Sequence, residues 1–431
     1  MLAVLGFATL GTFMLLVMRK YMIAFVAIMV TPILFAVVAG FGADIGDMML
    51  SGLETVAPTA VLLLFAVLYF GVMMDARLFD PVSTAIIRLS KGDPVRICVG
   101  TAVLALLVAL DGDGTTSYMI ICSAFLPIYR RLGINPLVLA AIATMALGTI
   151  SGTTPWGGAA TRAISVLHLD ATEYFVRMLP SMLLTSAFIV LIAYVLGRAQ
   201  RRNVDPAAIG ELAAEIAERT PQDTLLRDWR LWFNAALTVL LLVLLILGVA
   251  PLVTLFMGAF VIALVVNHPR LEEQSKVIGK HAGNAVPVVM LVIGAGVFTG
   301  ILSDTGMIDE MAYALLAAVP ESMGSLIPVM TAVVGLPLSF FMSNDAYFFG
   351  ILPVLAESAQ QYGIPPVEIA RAGVIGQMMH SIGPASAPLW ALLGLVRRDL
   401  GEFQRFALPW VLLASLAYLG FAVVTGAISV V

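Results

Sequence analysis

The sequence predicts an all-α polytopic membrane protein of two inverted-topology repeats, with about ten transmembrane helices, two re-entrant hairpins and two broken helices. Three observations carry that prediction. The 431 residues are 61% hydrophobic and only 12% charged, with a mean hydropathy of +1.02, a balance foreign to a soluble core under a polar skin. Apolar runs of the ~20 residues needed to cross a bilayer core recur from Leu2 onward. Short motifs also return at a nearly constant offset.

Full-length spans are expected at about 2–18, 21–40, 55–74, 137–161, 175–197, 231–250, 251–267, 283–302, 372–396 and 406–431. The first has no basic stretch before it and is followed by Arg19 and Lys20, so it reads as a retained helix rather than a leader. After the third span, a lateral amphipathic segment near 80–91 leads into two apolar arms that meet at Asp111-Gly112-Asp113-Gly114-Thr115-Thr116. Each arm holds about 14 residues, roughly 21 Å of helix, which is too short to cross. Arg96 at one end and Arg130-Arg131 at the other anchor hairpin 94–131 to one side. A second lateral segment, 304–318, precedes a second hairpin, 323–361, that turns at Ser343-Asn344-Asp345.

Basic residues orient these spans. With the N-terminus outside, 20 of the 23 Lys and Arg residues fall in cytoplasmic loops, leaving Arg162, Arg177 and Arg371 at or near the outer face. Both termini are then expected outside a bacterial inner membrane.

The internal repeat shows in Gly71-Val-Met-Met-Asp75 with Asp80, which returns as Gly300-Ile-Leu-Ser-Asp304 with Asp309 at an offset of 229. Gly133-Ile134-Asn135-Pro136 returns as Gly363-Ile364-Pro365-Pro366 at an offset of 230. The expected division is a first repeat at 1–200, a cytoplasmic linker at 201–230 and a second repeat at 231–431. Each repeat crosses five times, and an odd number inverts the second copy. Inverted repeats with discontinuous helices point to a secondary transporter whose site lies near the midplane, where the halves meet.

Chemistry concentrates at four polar interruptions, since irregular backbone at membrane depth is tolerated only inside protein or beside water. Two are the hairpin tips. The others break the spans at 137–161 and 372–396, through Ser151-Gly152-Thr153-Thr154-Pro155-Trp156-Gly157-Gly158 and His380-Ser381-Ile382-Gly383-Pro384-Ala385-Ser386-Ala387-Pro388. Gly permits close backbone approach and Pro interrupts the helical ladder. Half-helix N-termini suit an anion, and freed carbonyls suit a cation.

Ionisable groups in a bilayer are functional candidates by default. Asp111, Asp113 and Asp345 at the tips are candidates for a coupling proton or a hard metal cation, with oxygens of Thr115, Thr116, Thr153, Thr154 and Ser343. The competing possibility is that Asp113 or Asp345 only caps a half-helix. Substrate contacts are expected from Gly114, Thr115, Thr116, Thr153, Thr154, Pro155, Gly157, Ser343, Asn344, His380, Ser381, Gly383 and Ser386. Asp75 and Asp304 sit at helix ends and read as structural hinges. His168, His268 and His281 are expected to be solvated, and Cys98 and Cys122 inert. The methionines read as packing. There is no GxxxxGK[ST] motif for direct ATP coupling, and nothing suggests nucleic acid.

At these interruptions the chain resembles the citrate-metal:proton symporters of the CitMHS family, within the ion transporter superfamily. The stretches that carry the resemblance are Leu110-DGDGTTSYMI-Ile121, Pro155-WGGA, Phe341-MSNDAYFFGILPVLAE-Ser358 and Tyr69-FGVMMDARLFDP-Val82. No motif supports a catalytic nucleophile or dyad, so no enzymatic activity is expected, and no covalently bound cofactor. The resemblance implies uptake of citrate complexed with a divalent cation, Mg or Ca, coupled to protons, by an elevator movement in a homodimer. Hairpins, broken helices and spans 175–197 and 406–431 would move, with the lateral segments as arms. The alternatives are a symporter of another di- or tricarboxylate coupled to protons or sodium, or an inorganic-anion transporter of the same superfamily.

Overall fold

The computed structural model describes the chain apart from Lys91, Asn203, residues 205–227, Gly248, residues 317–320, Val430 and Val431. Most of the expected linker 201–230, with Arg219 and Arg227, lies outside the described residues, as do the ends of both lateral segments. Among the described residues all regular structure is helical.

The first half contains α1 (Leu2–Met18), α2 (Ala24–Ala39), α3 (Ile45–Asp75), α4 (Asp80–Ser90), the hairpin arms α5 (Pro94–Val108) and α6 (Gly114–Arg131), the interrupted pair α7 (Pro136–Thr153) and α8 (Gly158–Val166), and α9 (Ala171–Gln200). The same order recurs in α10 (Trp229–Ile246), α11 (Leu252–Asn267), α12 (Leu271–Asp304), α13 (Met307–Leu316), α14 (Ile327–Phe341), α15 (Leu352–Gln360), the short α16 (Pro366–Val374) and α17 (Gln377–Ser381), α18 (Ala387–Val396), and α19 (Leu400–Val424). The returning motifs have a local cause. Gly133 and Gly363, at φ +68° and +77°, end a helix in the left-handed region, Ile134 and Ile364 donate back to Tyr129 and Ala359, and Pro136 and Pro366 open the next helix.

Eight helices among the described residues are long and apolar enough to cross a membrane. Two of the eight, Pro94–Asp111 and Gly324–Phe341, are first arms of hairpins and reach 18 residues, longer than the spacing suggested, because 3-10 turns at Ala109–Asp111 and Glu321–Leu326 continue them. Span 283–302 likewise starts earlier, at Leu271. Glu, Gln and Lys there are good helix formers that an apolar-run count ignores.

α3 and α12 cross at small residues. A methyl on Gly52 would sit 2.0 Å from the Gly296 carbonyl, and one on Gly300 would sit 2.4 Å from that of Met48. Such crossings let helices pack backbone to backbone where lipid offers no hydrophobic drive. α7 is the axis of the other layer and is buried throughout Leu137–Thr153. Its Gly148 and Gly152 receive Met378 and Gln377 of α17.

Arg371, expected near the outer face, is 4% exposed. Its guanidinium donates to the carbonyls of Glu173 (2.8 Å), Tyr174 (3.3 Å) and Ala427 (3.5 Å), and Glu368 accepts from Ser429, so α16 clamps α9 and the end of the chain. Arg371→Lys keeps the charge but cannot fork across three carbonyls. It is expected to cost about 1.5–3 kcal/mol, measured as thermal unfolding in detergent; an unchanged Tm would remove the clamp role.

Candidate functional site

All four interruptions meet. At the first tip, Gly112 turns the chain at φ +80°, and Asp113 caps α6, accepting from the amides of Thr115 (3.3 Å) and Thr116 (3.1 Å) and from the Thr116 hydroxyl. Asp111 accepts from the Asp113 amide and the Ser117 hydroxyl, both at 2.9 Å. This tip rests on the first break, where Ser151 donates to the Gly112 carbonyl (3.0 Å) and the Trp156 indole to that of Leu110 (2.7 Å). Gly114 faces Pro388 of α18, and a methyl there would sit 2.8 Å away.

At the second tip, the Ser343 hydroxyl accepts from the Ala346 amide (3.2 Å), Asn344 accepts from Gln377 (3.0 Å), and Asp345 pairs with Arg162 of α8 at 2.7 Å. His380 and the Ser339 carbonyl lie 3.0 Å apart at Nδ1. A carbonyl only accepts, so Nδ1 carries the proton. Gly383 fits under the Phe340 carbonyl, 2.3 Å from where a methyl would be, and Ser381 bonds its own helix at Gln377.

A cavity of about 710 Å³ opens beside the first tip. Asp111, Gly112, Asp113 and Thr116 line it from the tip and Trp156 and Gly158 from the first break; α3 (Val67–Asp75) and α12 (Lys280–Val288) supply the opposite wall. Trp156 stacks on Phe70 at 5.9 Å and against Phe256 at 5.0 Å, joining the break to the α3 and α11 layer. One wall is therefore acidic while the facing wall carries Lys280 and His281. Both hold Asp75, at 2.5 and 2.9 Å. His281, expected to be solvated, has only 12% of its side chain exposed, and Gly71 exists to admit it, since a methyl at 71 would sit 2.6 Å from the ring. Asp75 thus ties α3 to α12, whereas Asp304 is exposed at the end of α12.

The other candidates lie off this cavity. Thr153 is buried against the Tyr418 hydroxyl at 2.6 Å; Thr154 is buried, its hydroxyl without a hydrogen-bond partner among the described residues; Ser386 is buried and donates its amide to Gly383; Thr115 is exposed. Pro155 offers its carbonyl to Thr161 (2.9 Å), and Gly157 caps α8. Sequence reasoning missed Arg162, read as an outer-face charge; its place five residues into a half-helix that starts at Gly158 was the available signal. Gln377 had none, being an ordinary polar residue until α17 packs under the tip. Among the described residues no three His, Cys, Asp or Glu side chains converge as a ready-made metal site.

The fold has a solved counterpart in the YdaH transporter of Alcanivorax borkumensis, at a TM-score of 0.60 and 17% identity over 90% of each chain. At the level of sequence the chain is 46% identical over 437 residues to a Mg(2+)/citrate complex secondary transporter, and 44% identical over 429 residues to a citrate transporter, both of Bacillus subtilis (strain 168) and both matched over the full length of each chain. The profile of the CitMHS family, described as citrate transporter, matches residues 13–376 and 276–430. These relatives are transporters and not enzymes, and the helices are those of a multi-pass membrane protein. Motifs, fold and full-length similarity agree: the chain belongs to the CitMHS citrate transporter family.

Proposed function

We propose that the protein imports citrate as its complex with a divalent metal ion, Mg or Ca, together with protons, across the bacterial cell membrane. The observation that carries this reading is the cavity with Asp111 and Asp113 on one wall and, on the other, Lys280 and His281 already paired with Asp75. Bare citrate has about three negative charges at neutral pH, and a carboxylate-lined tip repels it. A divalent cation in the cargo reverses that contact. Magnesium takes six oxygens in near-octahedral geometry and keeps some of its waters, so citrate oxygens, water and one or two tip oxygens complete a shell that the protein need not supply alone.

The candidate set for cargo and coupling ions remains the tips and breaks, with Asp111, Asp113 and Asp345 as the acidic members. Thr153, Thr154, His380 and Ser386, buried behind the tips, hold the breaks in shape. Movement is proposed as an elevator: hairpins, broken helices, α9 and α19 carry the cargo against α1–α3 and α10–α12, with α4 and α13 as arms, in a homodimer whose termini face outside. The cavity lies along that division, which supports it.

The test is uptake of radiolabelled citrate into proteoliposomes under an inward proton gradient. Magnesium or calcium is expected to stimulate uptake at least tenfold, and chelation with EDTA or collapse of the gradient to return it to background. Sealed vesicles that take up no citrate under any of these conditions would end the reading and redirect it to another di- or tricarboxylate or to sodium coupling.

A further inference from the structure

The Arg162–Asp345 pair joins the second hairpin tip to the second half of the first broken helix, so it links elements from both halves of the chain. It is mostly buried, with 17% and 18% of the two side chains exposed, and it is not saturated. Arg162 uses Nε on Asp345 Oδ1 and Nη1 on the Gly158 carbonyl at 2.5 Å. Among the described residues, Nη2 of Arg162 and Oδ2 of Asp345 have no hydrogen-bond partner. Gly158 itself lines the cavity beside the first tip, which puts the guanidinium behind the cavity wall.

A buried ion pair with a spare donor on one side and a spare acceptor on the other is stable only while both charges are answered. An anion alone that drew Arg162 away would strand Asp345, and a cation alone that drew Asp345 away would strand Arg162. A cargo that carries both charges on neighbouring atoms answers both at once. We propose that Arg162 is a substrate-binding residue, and that the ion pair opens on loading so that Arg162 takes a carboxylate of the metal-carboxylate cargo while Asp345 takes its metal ion. The pair is then a selectivity device: it penalises free tricarboxylate and free metal by the charge each leaves unpaired, and admits the complex. This rests on the proposed metal-citrate cargo, and it adds a residue and a reason why the two components travel together.

Binding of citrate to the purified full-length protein in detergent, by calorimetry with and without magnesium, tests it. Arg162→Gln is expected to weaken binding of magnesium citrate by about 30-fold or more, the loss typical of truncating one side of a buried charge pair. Asp345→Asn leaves Arg162 available, so the ratio of affinities with and without magnesium is expected to fall at least tenfold, through better binding of metal-free citrate. R162Q/D345N leaves no charge stranded and serves if a single variant fails to fold; it is expected to bind magnesium citrate as poorly as R162Q. Wild-type affinity for magnesium citrate in R162Q, or in the double variant, or an unchanged magnesium dependence in D345N, would overturn the exchange while leaving the cargo intact. Wild-type protein that binds no citrate in either form would overturn both together.

Discussion

Replacing Asp113 by Asn is expected to lower magnesium-stimulated citrate uptake at least tenfold while the protein stays folded. Asp113 does two jobs at the first tip. Its oxygens cap α6 by accepting from the amides of Thr115 and Thr116, and its charge faces the cavity. Asn caps a helix about as well as Asp, so the substitution separates the two. Losing a charge-assisted contact to a cation costs about 1.5–3 kcal/mol, which corresponds to about 10- to 150-fold in affinity. The readouts are kcat/KM in proteoliposomes across a magnesium series and Tm of the purified protein. Uptake within threefold of wild type would reduce Asp113 to a cap.

Gly157→Ala should have the largest effect on folding of any single methyl added to the breaks. The new Cβ would stand 1.8 Å from the Ser151 carbonyl, and that oxygen belongs to the last turn of α7, which cannot retreat without losing the break itself. Relief requires backbone movement, so the cost is expected to exceed the ~1–3 kcal/mol of ordinary overpacking and to show as loss of folded protein on size-exclusion chromatography. Gly133→Ala is the matched control. Gly133 has φ +68° but, among the described residues, nothing within 4 Å of the added atom, so only the ~1–2 kcal/mol of left-handed strain applies. Equal yields of the two variants would show that the break accommodates a side chain.

Asp111-Gly112-Asp113-Gly114-Thr115-Thr116 could be read as a tip from residue types alone, because Asp, Gly and Thr at membrane depth have few other uses. The repeat motif at Gly71 and Gly300 was equally visible, yet its two copies do different work. Gly71 admits the His281 ring and Gly300 the backbone of Gly52. Nothing local distinguishes them, since each role is set by the helix lying across it.

The solvent, the order of elements and the places where helices stop are legible in the chain alone. Those follow from hydropathy, from Gly and Pro geometry and from capping by Asp93, Asp113, Asn135, Asp170 and Asp399, all interactions between residues a few positions apart. Which charges answer one another emerges only when the helices pack. Arg162 meets Asp345 across 183 residues, Lys280 and His281 meet Asp75 across 205 and 206, and Gln377 finds Asn344 only because Gly152 lets α17 settle against α7. A charge in the low-dielectric interior of the bundle is tolerable only beside its partner, and the identity of that partner is a property of packing between helices rather than of spacing along the chain.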